Sequence, residues 1–287
     1  MAKLTIYHAF ILITVAYILI MSIFPMIYMV YGSLTNWRLG LVEMNFIGTR
    51  YYSDLVDDYR FYNSLAKTAY ITAIAVPIEM LLGLALANLM RAKIKFKRLF
   101  RTIFLMPLFC APVAVALMGE IIFYESGGPV NGILNLLGFA NFPWRSSPNI
   151  APFTVAMCDI WMWTPFCFLI TLAGLEGIPR EFNEAAVVDG ASSWQIFRKI
   201  NLPMLSAPLV TILMFRIIDS IKIFDIPFIL VGGGGPGIST EVMTIYIYKV
   251  AFRNFNLASA AAISIVFLVV IIIVANVFLG RLRKHYE

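Results

Sequence analysis

Charged side chains are scarce in this chain. Only 13% of its 287 residues are Asp, Glu, Lys or Arg, whereas 61% are apolar, and the mean hydropathy is +0.85. A soluble domain of this length does not need so much apolar surface, so the composition predicts a polytopic membrane protein surrounded by lipid. The net charge of +6 then indicates an asymmetry of loops across a membrane, and nucleic acid is not a predicted partner.

Cysteine and histidine are rare, and nucleotide-binding motifs are absent. Cys110, Cys158 and Cys167 all lie in apolar runs, which is typical of small buried side chains, so no disulfide framework is predicted. His8 and His285 stand at opposite ends of the chain, so no metal site is predicted. No GxxxxGK[ST] phosphate loop occurs. Any ATP must therefore be hydrolysed by another subunit, and no cofactor is predicted on this chain.

Long apolar runs predict an all-α membrane protein with six transmembrane helices. The first run is longer than the apolar part of a signal peptide and lacks a clear cleavage site, so it is predicted to be retained. The predicted spans are 10–31, 64–90, 102–123, 150–174, 204–230 and 257–279. A short helix is predicted over 130–137, and the glycine-rich stretch 232–237 is predicted to be non-helical.

The distribution of basic residues predicts the orientation of these spans. Six of them fall in one short loop without any acid: Arg91, Lys93, Lys95, Lys97, Arg98 and Arg101. Cytoplasmic loops carry an excess of Lys and Arg, so this loop is predicted to face the cytoplasm. Counting Lys and Arg by side then gives thirteen inside, including Lys3, Arg281, Arg283 and Lys284, and seven outside. Both termini are therefore predicted to be cytoplasmic.

A polar stretch over 184–203 interrupts the apolar runs. Pro179 suits the first position of a helix, and Gly190 suits its end, because glycine readily adopts the left-handed conformation. Ser192 and Gln195 have the spacing of a capping box that opens a second helix, which is predicted to end before Pro203. We call this helix-turn-helix connection, residues 176–203, the elbow. Its small residues would let another protein approach closely.

The elbow resembles the EAA loop of permease subunits of bacterial and archaeal ABC importers. The matching residues are Glu184, Ala185, Ala186, Asp189, Gly190, Ala191, Phe197, Ile200, Leu202 and Pro203. The resemblance implies that the elbow is a cytoplasmic coupling helix seated in a groove of a separate ATPase subunit, which would bind ATP and Mg. The alternative is an ordinary amphipathic loop helix.

A second stretch resembles the carbohydrate-uptake permeases of the maltose-transporter type, specifically the first permease subunit. It comprises Phe224-Asp225, Gly234-Gly235-Pro236, Thr240, Tyr248 and Ala251-Phe252. The chain departs from that pattern at Val231-Gly232 and lacks a large external insertion.

This resemblance implies one permease domain over 1–287, with a family-like core over about 64–280, in the plasma membrane of a bacterium or archaeon. It implies a sugar or oligosaccharide substrate, and the chain itself would be a transport subunit, not an enzyme. The implied partners are a second homologous permease, an ATPase dimer and an extracytoplasmic binding protein.

Charged residues inside spans are costly, so they usually face a bundle interior or a water-filled cavity. In this chain they are Glu79, Glu120, Asp159, Arg216, Asp219, Lys222 and Asp225. At about 1.5 Å per residue, Asp159 and Arg216 lie near the middle of the membrane. They could pair with each other or line a cavity. Glu79 and Asp225 are predicted to be structural or close to an interface.

The sugar-contacting positions of the family can be carried over to this sequence by register. They fall on Asp159, Met162, Trp163 and Phe166 of the fourth span, and on Arg216, Asp219, Ser220 and Ile223 of the fifth. Each set has the spacing of one helical face. Aromatic rings could stack on a sugar ring while Asp and Arg bind its hydroxyls. Helix packing is the alternative for Trp163 and Phe166, and a structural ion pair is the alternative for Arg216 with Asp219.

Several functional alternatives stay open at this stage. Arg216 could serve an anionic sugar or a glycerol-3-phosphate-like substrate, although Asp159 and Asp219 could neutralise it. An ion-coupled secondary transporter could use the same two aspartates as relay groups. A membrane-embedded enzyme is disfavoured, because no clustered acid/base or metal set occurs in the sequence.

Overall fold

The chain forms helices and no strand within the residues that the computed structural model describes, which are 2–41, 43–91 and 95–286, with side chains from 7 to 277. One isolated bridge pairs Thr35 with Phe46. The α-helices are α1 (Ala2–Ser33), α2 (Arg50–Asp54), α3 (Tyr59–Leu89), α4 (Lys97–Leu105), α5 (Pro112–Ile122), α6 (Pro129–Leu136), α7 (Ala151–Glu176), α8 (Arg180–Val188), α9 (Ser193–Ile196), α10 (Leu202–Met204), α11 (Ser206–Ile221), α12 (Asp225–Leu230), α13 (Met243–Tyr248) and α14 (Leu257–Tyr286).

Shorter helical segments complete the chain. Leu55–Asp57 and Met106–Phe109 form 3₁₀ turns after α2 and α4, and Phe197–Asn201 and Lys249–Arg253 are π-helical. Helix α6 confirms the predicted short helix, and residues 232–237 are non-helical, as predicted. Of the basic residues used to predict orientation, Lys93 lies outside the described residues, and Lys3, Arg281, Arg283 and Lys284 lie where only the backbone is described.

Within the described residues, four helices are long and apolar enough to cross a membrane. They are Tyr7–Ser33, Tyr59–Leu89, Ala151–Glu176 and Leu257–Val277, which correspond to the first, second, fourth and sixth predicted spans. The number rises to six if two bent helix pairs each form one span. The helical prediction is therefore confirmed, while the number of crossings stays between four and six.

The predicted span over 102–123 is not one continuous helix in the structure. Lys97–Phe109 and Pro112–Ile122 meet at 99°. Cys110 and Ala111 have extended backbone between the two pieces, and Pro112 stands in the first turn of α5, where the missing N–H is tolerated. The predicted fifth span is also interrupted, because α11 ends at Ile221 and α12 begins at Asp225. Within this break, the Ile223 carbonyl accepts a 2.5 Å hydrogen bond from the Thr244 hydroxyl.

The contacts divide the chain into two compact units. The first comprises residues 1–61 and 246–270. In it, the Leu39 N–H donates to the Phe255 carbonyl and the Ala258 N–H donates to the Trp37 carbonyl, both at 3.0 Å. The side chains of α1 are exposed along most of its length. The prediction of a single permease domain over 1–287 stays a prediction.

The second unit comprises residues 62–245 and 271–287, and it holds all the predicted site residues. One apolar cluster joins α3, α5, α7 and α12, and another joins α3 and α7 to Leu205 at the start of α11. Helices α3 and α7 touch closely at Gly83, where a Cβ atom would lie 2.6 Å from the Cys167 Cβ. This close approach brings polar residues of α3 within reach of α7.

Candidate functional site

Arg216 on α11 is the centre of a buried ion-pair network. Its Nε donates to Glu79 Oε2 at 2.6 Å, and its Nη2 donates to Glu79 Oε1 and Asp159 Oδ2, both at 3.0 Å. Its Nη1 donates to Asp219 Oδ2 at 2.7 Å. Four of the five N–H donors of a guanidinium are therefore used. Three carboxylates from α3, α7 and α11 converge on one cation.

Burial sets the strength of this network. The side chains of Arg216 and Glu79 are fully buried and that of Asp159 nearly so, whereas 33% of the Asp219 side chain is exposed. A buried charge without a partner is strongly unfavourable, so each member depends on the others. Of the two arrangements that the sequence left open for Asp159 and Arg216, the structure has the ion pair.

An open cleft of about 550 Å³ lies beside the network. It is lined by Pro112, Asp159, Met162, Trp163, Asp219, Lys222, Ile223, Phe224, Asp225 and Ile226. Five of the eight predicted substrate-contacting residues are among them. Phe166, Arg216 and Ser220 do not line it.

Other contacts account for these three residues. The Phe166 ring packs on the Phe215 ring with centroids 4.8 Å apart, and the Ser220 hydroxyl lies 3.1 Å from that of Thr72. Arg216 lies behind the cleft wall, with its guanidinium carbon 4.4 Å from the centroid of the Trp163 ring. A cation over an indole face is a favourable cation–π contact. Trp163 therefore contacts the Arg216 guanidinium and, beside Met162, presents an aromatic surface to the cleft.

Sequence reasoning missed several residues of this region. Glu79 was expected to be structural or close to an interface, but its partner was not identified; it supplies two of the four bonds to Arg216. A charge inside a span needs a partner, and that signal could have linked the two residues. Lys222 and Asp225 were not predicted to line the site; they flank the break between α11 and α12.

The turn of the elbow has the predicted geometry. Helix α8 ends in a Schellman motif, in which the Gly190 N–H donates to the Val187 carbonyl at 3.0 Å and the Ala191 N–H donates to the Ala186 carbonyl at 2.9 Å. Gly190 has φ +79°, in the left-handed region. The Ser192 and Gln195 side chains and backbone N–H groups form both bonds of the capping box. These local predictions are confirmed.

The predicted end of the second elbow helix is wrong. Helical backbone continues from α9 through the π-helical segment and α10, past Pro203, to Met204. Pro203 stands in the first turn of α10, where its missing N–H is tolerated. The chain then bends by 64° into α11. The elbow is therefore joined almost directly to the helix that carries Arg216.

The elbow presents an exposed surface with apolar side chains. Val187, Val188 and Trp194 are 62%, 87% and 65% exposed. Of the predicted coupling residues, Glu184, Ala185, Asp189, Gly190 and Pro203 are exposed, Ala191, Phe197 and Leu202 are half-buried, and Ala186 is buried. Exposed apolar groups gathered on one turn are typical of a protein contact surface.

A second arginine forms a more exposed network at the other end of α12. Arg145 donates from Nε to the Leu230 carbonyl at 2.7 Å and from Nη2 to Glu120 Oε1 at 2.8 Å. Nearby, Glu125 accepts bonds from the backbone N–H groups of Arg145 and Ser146 and from the Ser146 hydroxyl. Desolvation alone would raise the pKa of the Glu125 carboxyl, but these bonds and the Arg145 charge lower its pKa below the usual value.

Comparisons with known proteins agree with this geometry. Residues 79–286 match the family described as "Binding-protein-dependent transport system inner membrane component". The chain is 35% identical over 264 residues to the sulfoquinovosyl glycerol transport system permease protein SmoG of Agrobacterium fabrum, covering 91% of this chain and 85% of that one. It is 33% identical over 272 residues to the trehalose/maltose transport system permease protein MalF of Thermococcus litoralis, covering 93% and 90%.

A solved structure shares the fold. It is that of a bacterial alginate ABC transporter in complex with an alginate pentasaccharide-bound periplasmic protein, which matches with a TM-score of 0.85 at 21% identity over 100% of this chain and 96% of that one. The family match covers most of the chain, and both relatives are similar along nearly their whole length. The chain therefore belongs to the inner membrane components of binding-protein-dependent transport systems, the permease subunits of ABC importers.

Proposed function

We propose that this chain forms, with a second homologous permease, the pathway by which an ATP-driven importer carries a sugar or oligosaccharide across the plasma membrane of a bacterium or archaeon. An extracytoplasmic binding protein would deliver the substrate, and a dimer of separate ATPase subunits would supply the energy. The observation that carries the proposal is the exposed apolar elbow in a chain without a phosphate loop. The names of the relatives support a sugar as the substrate.

The topology belongs to the same proposal. Each bent helix pair counts as one crossing, so the chain crosses the membrane six times with both termini inside. The basic residues before α5 and the elbow then lie on the cytoplasmic side, where the positive-inside rule favours them. This arrangement places the elbow within reach of a cytoplasmic ATPase.

Helix α11 offers the mechanical link between the elbow and the cleft. It begins at Ser206, one residue after α10, and at 1.5 Å per residue it carries Arg216 about 15 Å and Asp219 about 20 Å further along. Movement of the elbow as the ATPases close would therefore shift α11 as a rigid rod. Because Arg216 also bonds Glu79 of α3 and Asp159 of α7, a shift of α11 would move these two helices at the same time.

The charges around the cleft favour a neutral sugar over an anionic one. Four N–H donors of Arg216 are already bonded to carboxylates, so this cation has little capacity left for a substrate anion. Of the charged residues that line the cleft, Asp159, Asp219 and Asp225 are acidic and only Lys222 is basic. Hydroxyl groups could donate to the exposed Asp219 carboxylate while the sugar ring lies against Trp163.

The coupling role is tested by two substitutions at Gly190 in the complex reconstituted in proteoliposomes. A Cβ at this position meets no atom within 4 Å, so only the positive φ constrains the residue. Gly190→Val should cost about 1–2 kcal/mol in the turn, and we expect sugar uptake per ATP hydrolysed to fall by about 5–30-fold. Gly190→Asn, which tolerates this φ, is the matched control and should retain coupling. Normal coupling in the Val variant would refute the role of the elbow.

The energy source and the substrate are tested in the same vesicles. Uptake should stop when the ATPase subunits are omitted and should persist when an ionophore collapses the proton gradient; the reverse result would identify a secondary transporter.

Trehalose and maltose should stimulate ATP hydrolysis in the presence of the binding protein more than a sulfonated sugar does. Preference for the sulfonated sugar would overturn the assignment of a neutral substrate.

A further inference from the structure

Helix α4 carries two different surfaces along its exposed side. Lys95, Lys97 and Arg98 are exposed at its N-terminal end, and no acidic residue occurs over 91–101. Beside them runs an exposed apolar stripe, formed by Leu99, Ile103 and Met106, which are 58%, 47% and 60% exposed. The spacing i, i+4, i+7 places the three apolar residues on one helical face.

Two contacts fix the orientation and the level of α4. Phe104 packs edge-on against Phe168 of α7 with ring centroids 6.1 Å apart, so this side of α4 is anchored to the bundle and the Leu99 stripe faces away from it. Arg101 Nη1 lies 4.0 Å from Glu176 Oε1, and Glu176 is the last residue of α7. The basic end of α4 therefore lies level with one end of a membrane span.

We propose that α4 is a binding site for anionic phospholipids, in which Lys95, Lys97 and Arg98 bind the headgroup phosphate and the stripe of Leu99, Ile103 and Met106 packs against an acyl chain. A cationic group at the end of a span combined with an apolar face is the pattern that recognises anionic lipid at a membrane surface. Phe109, 84% exposed just before α5, continues the apolar surface towards the next helix. A solvated basic face would not need this continuous apolar stripe.

The test is a lipid titration of the purified full chain in detergent, with the thermal unfolding midpoint as the readout. Phosphatidylglycerol and phosphatidylcholine are compared, and at about fivefold per basic side chain the native protein should prefer phosphatidylglycerol by up to about 100-fold. The variant Lys95→Gln/Lys97→Gln/Arg98→Gln should bind the two lipids equally. The matched control, Arg38→Gln/Arg50→Gln/Arg253→Gln, removes three exposed charges elsewhere and should keep the preference.

Three results would overturn the proposal. The first is an unchanged lipid preference in the α4 variant; loss of copurification with the ATPase in that variant would then identify the basic face as a protein contact. The second is an equal loss of preference in the control variant. The third is an equal stabilisation by inorganic phosphate, because a free anion cannot cover the apolar stripe.

A second measurement tests the acyl chain contact without changing any charge. A spin label is attached at Ile103→Cys in a Cys110→Ser background and studied in vesicles that contain phosphatidylglycerol. Collisions with oxygen should exceed collisions with a water-soluble nickel chelate, as they do in hydrocarbon. The opposite ratio would show that the stripe faces water and would refute the proposal.

Discussion

Arg216 and Arg145 both connect separate helices through hydrogen bonds, but their surroundings differ. Both bridge helices that are far apart in the sequence, but the Arg216 side chain is fully buried, whereas that of Arg145 is 23% exposed. Arg216 bonds three carboxylates, while Arg145 bonds one carboxylate and one backbone carbonyl. The Glu120 side chain that pairs with Arg145 is 42% exposed, so water can solvate its carboxylate in place of the guanidinium.

The difference shows what burial changes about an ion pair. Near water, each charge can be solvated when its partner is lost, so the ion pair contributes little to stability. In the interior, every charge has been removed from water. Losing one member of the network therefore leaves a buried charge with neither water nor an opposite charge beside it. The Arg216 network therefore stabilises the packing of α3, α7 and α11. The Arg145 network stabilises the end of α12 through the bond to the Leu230 carbonyl.

The largest effect is expected when Arg216 is replaced by an apolar residue. Arg216→Met would leave the buried carboxylates of Glu79 and Asp159 without their cation, at a cost of about 3–5 kcal/mol in the free energy of unfolding. Denaturation of the purified protein in mixed micelles measures this cost. If Arg216→Met unfolds with nearly native stability, the contrast between the two arginines disappears.

A smaller loss is expected when one carboxylate of the same network is neutralised. In Glu79→Gln the amide oxygen still accepts one bond, and Arg216 keeps Asp159 and Asp219, so we expect a loss of about 2 kcal/mol. The double variant Glu79→Gln/Arg216→Met should be more stable than the sum of the two single losses predicts, because Glu79 no longer carries the buried charge that Arg216→Met alone leaves without its cation. Strict additivity in this double-mutant cycle would contradict direct coupling.

Arg145→Gln should cost about 1 kcal/mol, since water can solvate Glu120 once the guanidinium is gone. The measurement is the same denaturation series, and Arg145→Lys is its control, because it keeps the charge while losing the two-pronged contact. A cost as large as that of Arg216→Met would mean that exposure does not separate the two networks.

The smallest effect concerns Glu125 and is recognised by its loss in acid. Its pKa is lowered in the folded protein, so its stabilising contribution is fully present above the unfolded value of about 4.3 and is lost as pH falls through the lower folded value. Glu125→Gln should therefore lower the unfolding midpoint at neutral pH, where the contribution is fully present, and the difference from the native protein should disappear as the pH falls below about 4.5. If the unfolding midpoint depends on pH equally in both proteins, the hydrogen bonds to Glu125 do not stabilise the fold through its carboxylate.

The elbow could be predicted from the sequence because its geometry is local. Gly190 needs only its own positive φ, and the Ser192 capping box closes within three residues. The helical segments could be predicted for the same reason, although α1 begins at Ala2 and α14 ends at Tyr286, each several residues beyond the predicted span. The end of the elbow was mistaken at Pro203, because a proline can equally follow a helix or begin the next one, and neighbouring helices decide between these outcomes.

The partners of Arg216 could not be predicted in the same way. Glu79 lies 137 positions away in the chain, and the helical period places it on a face without saying which helix that face meets. The right-angle break before α5 and the gap between α11 and α12 were missed for a related reason. An apolar run predicts burial in a membrane, but not whether the backbone stays straight within it.

By itself, the sequence determined that this protein is a helical membrane permease with an exposed elbow, because composition, local capping and a contiguous motif act over a few residues. Only the tertiary structure decided that Arg216 is a buried bridge among three helices and that Lys222 and Asp225 line the cleft. Those roles depend on which faces meet across α3, α7 and α11, and packing of the whole bundle sets that choice.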